Sequence, residues 1–210
     1  MTKPLIDLPC NSSSPLHVHI NRNGFKESLH EVDIAVCDAD GSVILGMGDV
    51  ESVIFPRSAM KPLQSIALIE LLKTQEDIPE FSDAEVALIC ASHNGETLHT
   101  EAEQGLLSKF DISIDELICG AHWSMHQETM VSQVRTMDEP HKVHNNCSGK
   151  HAGMLLTCKK NGWDMDSYLE MSHPLQIAIK SEIELLAGEK VSTSTFDGCG
   201  APLFAISLTG

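Results

Sequence analysis

Hydrophobic and polar residues alternate along the start of the chain, and the spacing of the apolar residues lengthens further on. The alternation predicts strands at residues 16–20, 32–37 and 42–46. Asp40-Gly41 lies between the last two strands and predicts that they form a hairpin. The first part of the chain is therefore expected to be built from strands.

After residue 56, apolar residues recur every three to four positions, which is typical of helices with one buried face. Ser82 with Glu85, and Ser113 with Glu116, form capping boxes, which mark helix starts. Gly162 is of the type that ends a helix. The pattern predicts six helices, at residues 58–73, 82–90, 98–110, 124–137, 149–160 and 173–187, and a later strand at 193–196.

Strands come first, several helices follow, and a strand comes last, which indicates an α+β fold or a three-layer arrangement. A chain of 210 residues can form one domain with a sizeable core. We interpret residues 1–210 as a single domain. Residues 203–210 are apolar and end abruptly. We therefore expect the domain to continue beyond them, with this chain as its N-terminal part.

Composition excludes several functions. The formal charge is −16 with only 14 scattered basic residues, which argues against nucleic-acid binding. No apolar run approaches the ~20 residues of a membrane span, and the N-terminus lacks the features of a signal peptide. Seven irregularly spaced cysteines favour a reducing compartment with free or metal-bound thiols. We therefore predict a cytoplasmic protein.

Ser58 and Lys61 stand three residues apart at the start of a predicted helix. Residues at this spacing share a helix face, so the lysine amine can reach the serine oxygen. An unprotonated lysine can serve as the base for a serine nucleophile, as in serine β-lactamases and penicillin-binding proteins. Such a pair also occurs by chance. Arg57, directly before it, carries a guanidinium suited to a carboxylate.

Residues 90–96 form a second polar segment, in which Ser92 and His93 follow the end of a predicted helix. This segment is either part of a catalytic site or a helix terminus with an exposed histidine. Other histidines show no metal-binding spacing, and we interpret them as structural or surface residues. They are His17, His19, His30, His99, His122, His126, His141 and His173.

Cys147 and Lys150 stand one helical turn apart at the head of a predicted helix, and Cys199 lies in a glycine-rich loop. Two thiolates from separate loops can bind zinc, with another ligand completing the tetrahedron. The usual C-x-x-C spacing is absent, so spacing alone predicts no zinc site. The alternative role of a cysteine here is a buried free thiol, which we favour for Cys37, Cys119 and Cys158.

Five motifs occur in one order along the chain. They are P-R-S-A-M-K-P-L-Q at 56–64, C-A-S-H-N-G-E at 90–96, N-N-C-S-G-K-H-A-G-M at 145–154, H-P-L-Q at 173–176 and D-G-C-G-A-P at 197–202. Together they resemble the asparaginase II family of thermolabile, inducible-type L-asparaginases, over roughly residues 16 to 208. Long motifs in a fixed order are far more specific than any single residue pair.

The resemblance implies a fold similar to serine β-lactamases, a homodimer, and hydrolysis of L-asparagine to L-aspartate and ammonia. By position, Ser58 and Lys61 form a first Ser-Lys tandem, and Ser92 is the serine of a second. The resemblance also implies that Cys147, Lys150 and Cys199 bind a zinc ion. Four further residues match as substrate-binding or supporting groups, namely Arg57, His93, Asn146 and Asp197.

We therefore predict a cytoplasmic amidohydrolase in which Ser58 attacks asparagine and Lys61 accepts its proton. One departure stands out, because the family's second tandem also needs a lysine from the C-terminal half, which these 210 residues do not contain. Two alternatives stay open. One is a β-lactamase-like serine hydrolase or peptidase, and the other is an inactive zinc-binding fragment of the same fold.

Overall fold

The computed structural model of the chain describes residues 11–78 and 80–210. The chain divides into two compact units. The first takes in the chain up to Ile54 together with Ala205–Gly210, and the second comprises Phe55–Phe204. No helix within the described ranges is long and apolar enough to cross a bilayer.

The first unit contains a three-stranded sheet. β1 (Asn11–Ser12) lies parallel to β5 (Val43–Met47), and β5 pairs antiparallel with β4 (Ile34–Cys37). Between β4 and β5 the chain turns through Gly41, whose φ of +81° favours glycine. This pairing confirms the hairpin predicted around Asp40-Gly41.

A second hairpin in this unit was only half predicted. β2 (Leu16–Arg22) confirms the first predicted strand, and it pairs antiparallel with β3 (Phe25–Val32), for which no strand was predicted. The turn between them is Asn23-Gly24, with φ values of +47° and +82°. Asn-Gly with both residues at positive φ is a favoured two-residue hairpin turn, so this dipeptide was the overlooked sequence signal.

Helices dominate the second unit. Their bounds are α1 (Lys61–Lys73), α2 (Asp83–Cys90), α3 (Thr97–Ser108), α4 (Gln127–Thr136), α5 (Ser148–Asn161) and α6 (Pro174–Ala187). All six predicted helices are confirmed, with ends that shift by a few residues. A 3₁₀ turn at Arg57–Met60 precedes α1, so the predicted helix start is tighter than an α-helix. The second capping box opens only a 3₁₀ turn, Ile114–Glu116.

Within the first unit, β6 (Val53–Ile54) pairs antiparallel with the end of β8 (Pro202–Ser207). β7 (Thr193–Phe196) precedes β8 along the chain. β7 confirms the last predicted strand. β8 is buried along its whole length, which accounts for the apolar residues near the end of the chain. Separate strand-rich and helix-rich segments confirm an α+β protein, whereas a β-lactamase-like three-layer sandwich stays a prediction.

Helix α5 forms the centre of the second unit and carries much of the candidate site. Every residue from Ser148 to Cys158 is buried, because α1, α2, α3 and α6 all pack against this helix. Gly149 allows the closest approach, since a Cβ there would lie 2.5 Å from the carbonyl oxygen of Leu88 in α2. Polar side chains in the first turn of α5 are consequently enclosed and need partners within the protein.

Candidate active site

Lys61 is the most buried cation of the site, with 1% of its surface exposed. Its Nζ lies 2.8 Å from Ser92 Oγ, 3.1 Å from the Ala91 carbonyl oxygen and 3.3 Å from that of Asn146. Burial lowers the pKa of Lys61 below its ordinary value of 10.5. A neutral amine has two N–H groups for the two carbonyls and a lone pair that can accept the Ser92 proton.

Ser58 lies apart from this contact. It is exposed in the 3₁₀ turn, where its carbonyl oxygen accepts a hydrogen bond from the Lys61 backbone N–H. Within residues 11–78 and 80–210, the Lys61 amine makes no hydrogen bond to the Ser58 hydroxyl. Ser58 instead lines a cavity of about 180 Å³ with Arg57, Asn146, Cys147 and other residues. The spacing predicted that Lys61 reaches Ser58, whereas the structure places the Lys61 amine on Ser92.

Arg57 and Asp197 form an ion pair at the same cavity, with Arg57 Nη2 2.6 Å from Asp197 Oδ1. The guanidinium side chain is 67% exposed and the carboxylate side chain 9% exposed. Arg57 adopts φ +53°, a left-handed conformation that is uncommon for a residue other than glycine. Strained backbone of this kind clusters at functional sites. The cavity thus offers a cation and an anion side by side.

His93 points into the protein. Its Nε2 lies 3.0 Å from Ser148 Oγ, and its Nδ1 accepts a hydrogen bond of 3.0 Å from the Gly95 N–H. Burial lowers the pKa of His93 to about 4, and the nearby charges of His99 and Lys61 add to the effect. The ring is therefore neutral with its proton on Nε2, and both nitrogens are engaged. With Ser92, it lines a neighbouring cavity of about 320 Å³.

The loops that carry Ser92 and Asn146 approach closely. The His93 N–H donates to the Asn146 carbonyl oxygen at 3.2 Å. Gly95 has φ +71°, and a Cβ there would lie 2.6 Å from the carbonyl oxygen of His144. No other residue type fits this position without displacing one of the two loops.

Three predicted metal ligands converge beside the cavity. Lys150 Nζ lies 3.5 Å from Cys199 Sγ, and Cys147 hydrogen-bonds to Cys199. This bond raises the pKa of Cys147 and lowers that of Cys199, to which Lys150 and His151 also contribute. All three side chains are buried. The arrangement places the Cys199 sulfur between the Lys150 amine and the Cys147 thiol.

We tested whether these residues suit a zinc ion. Two cysteine sulfurs are soft ligands of the kind that zinc prefers, and a neutral amine can be a third. His151 lies beside Cys199, to which it hydrogen-bonds, and its Nδ1 is 2.7 Å from the Tyr168 hydroxyl. Across the described residues, no group of three or more His, Cys, Asp and Glu side chains is placed to hold a metal ion. The donor set, which includes a lysine, nevertheless fits zinc chemically.

Three residues of the site were not predicted as such. His122, interpreted from the sequence as structural or surface, lines the Ser58 cavity and accepts a hydrogen bond from the Asn146 N–H at 3.2 Å. Ser148 and Glu103 form a buried pair behind His93. The available signal for Glu103 was its spacing, because it shares one face of α3 with buried Leu106 and Leu107.

A buried lysine held on a serine hydroxyl, beside a polar cavity, is typical of serine-type hydrolases. The family model for L-asparaginase II matches residues 18–210. The chain therefore belongs to the L-asparaginase II family, as its five motifs predicted. A search of curated proteins found no match. Family membership suggests an asparagine amidohydrolase with L-asparagine as substrate.

Proposed function

We propose that the protein hydrolyses the side-chain amide of L-asparagine to L-aspartate and ammonia through a serine and Lys61. The observation that carries the proposal is the buried Lys61 amine, held by two carbonyl oxygens and in contact with the Ser92 hydroxyl. Because burial lowers the pKa of Lys61, this amine gives up its proton more readily than an exposed lysine and is better suited to act as a base.

Charge in the Ser58 cavity supports an amino-acid substrate. The exposed guanidinium of Arg57 can bind an α-carboxylate, and Asp197 can accept a hydrogen bond from an α-ammonium group. A cavity of about 180 Å³ suits a small molecule. Asn146 lines the same cavity and supplies a side-chain amide for further hydrogen bonds.

In the proposed reaction, the Ser58 oxygen attacks the amide carbon and its proton passes to Lys61. Lys61 then protonates the leaving nitrogen, the C–N bond breaks and ammonia departs, which leaves an ester on Ser58. Water adds to this ester and releases aspartate. A proton from the attacking water restores the serine hydroxyl. Ser58 is favoured because it shares its cavity with both proposed substrate anchors, Arg57 and Asp197.

Ser92 is the second candidate nucleophile, and one observation favours it. Its hydroxyl lies 2.8 Å from Lys61 Nζ, within the reach that a base needs. If Ser92 attacks, Ser58 serves to bind the substrate. If Ser58 attacks, Ser92 holds the lysine amine in place between turnovers.

Ammonia release from L-asparagine tests the reaction and separates the two serines. We expect Lys61→Ala and Ser58→Ala each to lower kcat by about 10³-fold or more, as removal of a nucleophile or its base does in other hydrolases. Ser181→Ala, an exposed serine on α6, is the matched control and should leave turnover unchanged.

A large loss in Ser92→Ala with near-normal turnover in Ser58→Ala would make Ser92 the nucleophile. Absence of ammonia release by the unaltered protein would refute the proposal. Acylation by a β-lactam probe without asparagine turnover would instead support a serine hydrolase of another specificity.

We further propose that Cys147, Lys150 and Cys199 hold a zinc ion. When bound, zinc would act as a Lewis acid towards a substrate carbonyl at the adjoining cavity. We expect Cys199→Ser to weaken zinc binding by about 100-fold or more, since a thiolate ligand is lost. The exposed Cys37 offers a control, Cys37→Ser, whose zinc binding should equal that of the unaltered protein. Equal zinc affinity in all three proteins would exclude this site.

The family resemblance also leads us to propose a homodimer. Sedimentation equilibrium tests this proposal, and a monomer at all concentrations would contradict it.

A further inference from the structure

A buried chain of three polar side chains lies behind the candidate site. Glu103 on α3 has no exposed surface, and its Oε2 shares a short hydrogen bond with Ser148 Oγ. Ser148 Oγ also lies 3.0 Å from His93 Nε2 and 3.2 Å from the Val143 carbonyl oxygen. The proposed reaction uses neither Glu103 nor Ser148, so this network needs its own explanation.

The hydrogen-bond partners around Glu103 indicate that it is a neutral, protonated acid. No Lys or Arg contacts it within the described ranges, and its Oε1 is buried without a partner. Burial raises the pKa of Glu103 to about 8. With its proton in place, Glu103 donates to Ser148, Ser148 donates to the Val143 carbonyl, and His93 donates to Ser148. The Ser148 hydroxyl then donates once and accepts twice, so its proton and both of its lone pairs are used.

Through His93, the network contacts both loops that hold the Lys61 amine, the loop with Ser92 and the loop with Asn146. His93 directly follows Ser92, whose hydroxyl contacts the lysine amine. The backbone N–H of His93 also donates a hydrogen bond to the Asn146 carbonyl oxygen, which is another contact of the Lys61 amine. A displaced His93 ring would therefore move two of the three oxygen atoms that contact the Lys61 amine.

We propose that Glu103 is a positioning residue for the Lys61 amine and acts through Ser148 and His93. This inference rests on the proposed amidohydrolase function for its kinetic consequence, but the network itself can be tested without activity. Among the described residues, Glu103 is not one of those that line the Ser58 cavity.

The test compares Glu103→Gln, whose side-chain N–H can still donate to Ser148, with Glu103→Ala, which cannot. We expect Glu103→Gln to keep kcat within about 3-fold of the unaltered protein. Glu103→Ala should lose about 30-fold in kcat with KM changed less than 3-fold, because a misplaced catalytic group slows chemistry more than binding. Glu101→Ala, an exposed glutamate of the same helix, is the control and should change neither.

A spectroscopic readout follows the network directly. In ¹⁵N-histidine NMR, the His93 Nε2 resonance should have the same chemical shift in the unaltered protein and in Glu103→Gln, and should move in Glu103→Ala, because Ser148 then loses the partner that orients its hydroxyl. If Glu103→Ala does not fold, Glu103→Met takes its place in the comparison, because methionine keeps the side-chain volume but cannot make the hydrogen bond.

Two results would overturn the inference, namely equal kcat losses in the Gln and Ala variants, or an unchanged His93 spectrum in Glu103→Ala. If the unaltered protein releases no ammonia, the amidohydrolase proposal fails, and the NMR comparison still decides whether Glu103 positions His93.

Discussion

The first turn of α5 and the β2–β3 hairpin depart from ordinary burial in opposite directions. Around the head of α5, polar groups such as Ser148, Lys150 and His151 are buried. Along the hairpin, large apolar side chains are exposed, with Phe25 at 75% and Ile20 at 49%. In most proteins a buried polar group or an exposed apolar patch is the observation that carries information.

The two regions differ in how strictly the surroundings determine which side chain can occupy each position. A buried polar group must find its partner inside the protein, and removing that partner leaves a desolvation penalty of about 1–3 kcal/mol. Lys61 with its three oxygen contacts is the clearest case. An exposed apolar side chain has no such requirement. Substitutions near α5 should therefore have large effects, and substitutions in the hairpin small ones.

A large stability effect is expected at Gly149, in the first turn of α5. Alanine normally stabilises a helix interior relative to glycine by up to about 1 kcal/mol. At Gly149, however, the added Cβ would lie 2.5 Å from the Leu88 carbonyl oxygen and 2.9 Å from Leu88 Cγ. We expect Gly149→Ala to lower the free energy of unfolding by about 2–3 kcal/mol in urea titrations.

Gly105 in α3 is the matched control, because a Cβ there would meet nothing within 4 Å. Gly105→Ala should raise stability by about 0.5–1 kcal/mol. If both variants change the free energy of unfolding in the same direction, close packing against Leu88 is not what requires glycine at position 149.

The next effect depends on pH and concerns Glu103. Its pKa is raised from 4.5 to about 8 on folding, so the folded protein binds the proton more tightly than the unfolded chain. The contribution of Glu103 to stability is present below pH 4.5 and is lost as pH rises through 8. Glu103→Gln removes this dependence.

We expect the stability of Glu103→Gln, relative to the unaltered protein, to increase by about 2–4 kcal/mol between pH 4 and 9. Urea unfolding across this pH range measures the free energy of unfolding of each variant relative to the unaltered protein. For Glu101→Gln, at an exposed position, this relative stability should hardly change with pH. A flat difference for Glu103→Gln would mean that its carboxyl is already ionised in the folded protein.

Periodicity in the sequence was sufficient to predict the helices, and the ends of α5 and α6 were recognisable as well. Gly162 and Gly188 end α5 and α6 at positive φ, as glycines at helix ends do. Strand β3 escaped prediction for the opposite reason. Its side chains, including Lys26 and Glu31, are largely exposed on both faces, so no alternation appears.

The site was predictable as a set of residues but not as a set of contacts. Motif order identified Ser58, Lys61 and Ser92. Spacing then suggested that Lys61 meets Ser58, whereas its hydroxyl contact comes from Ser92, 31 residues along the chain. Glu103 and Ser148 are 45 residues apart and share no local pattern. Contacts of this kind arise from helix packing, which a single sequence does not display.

The smallest effect is expected in the hairpin. Phe25 is 75% exposed and sits opposite Arg22 at the turn end of β3. Because little of its surface is buried, Phe25→Thr should change the free energy of unfolding by less than about 0.5 kcal/mol. The matched substitution Leu155→Ala, at a fully buried position of α5, should cost about 2–5 kcal/mol. A loss above about 1.5 kcal/mol in Phe25→Thr that grows with protein concentration would show that another copy covers this face, because only association makes stability depend on concentration.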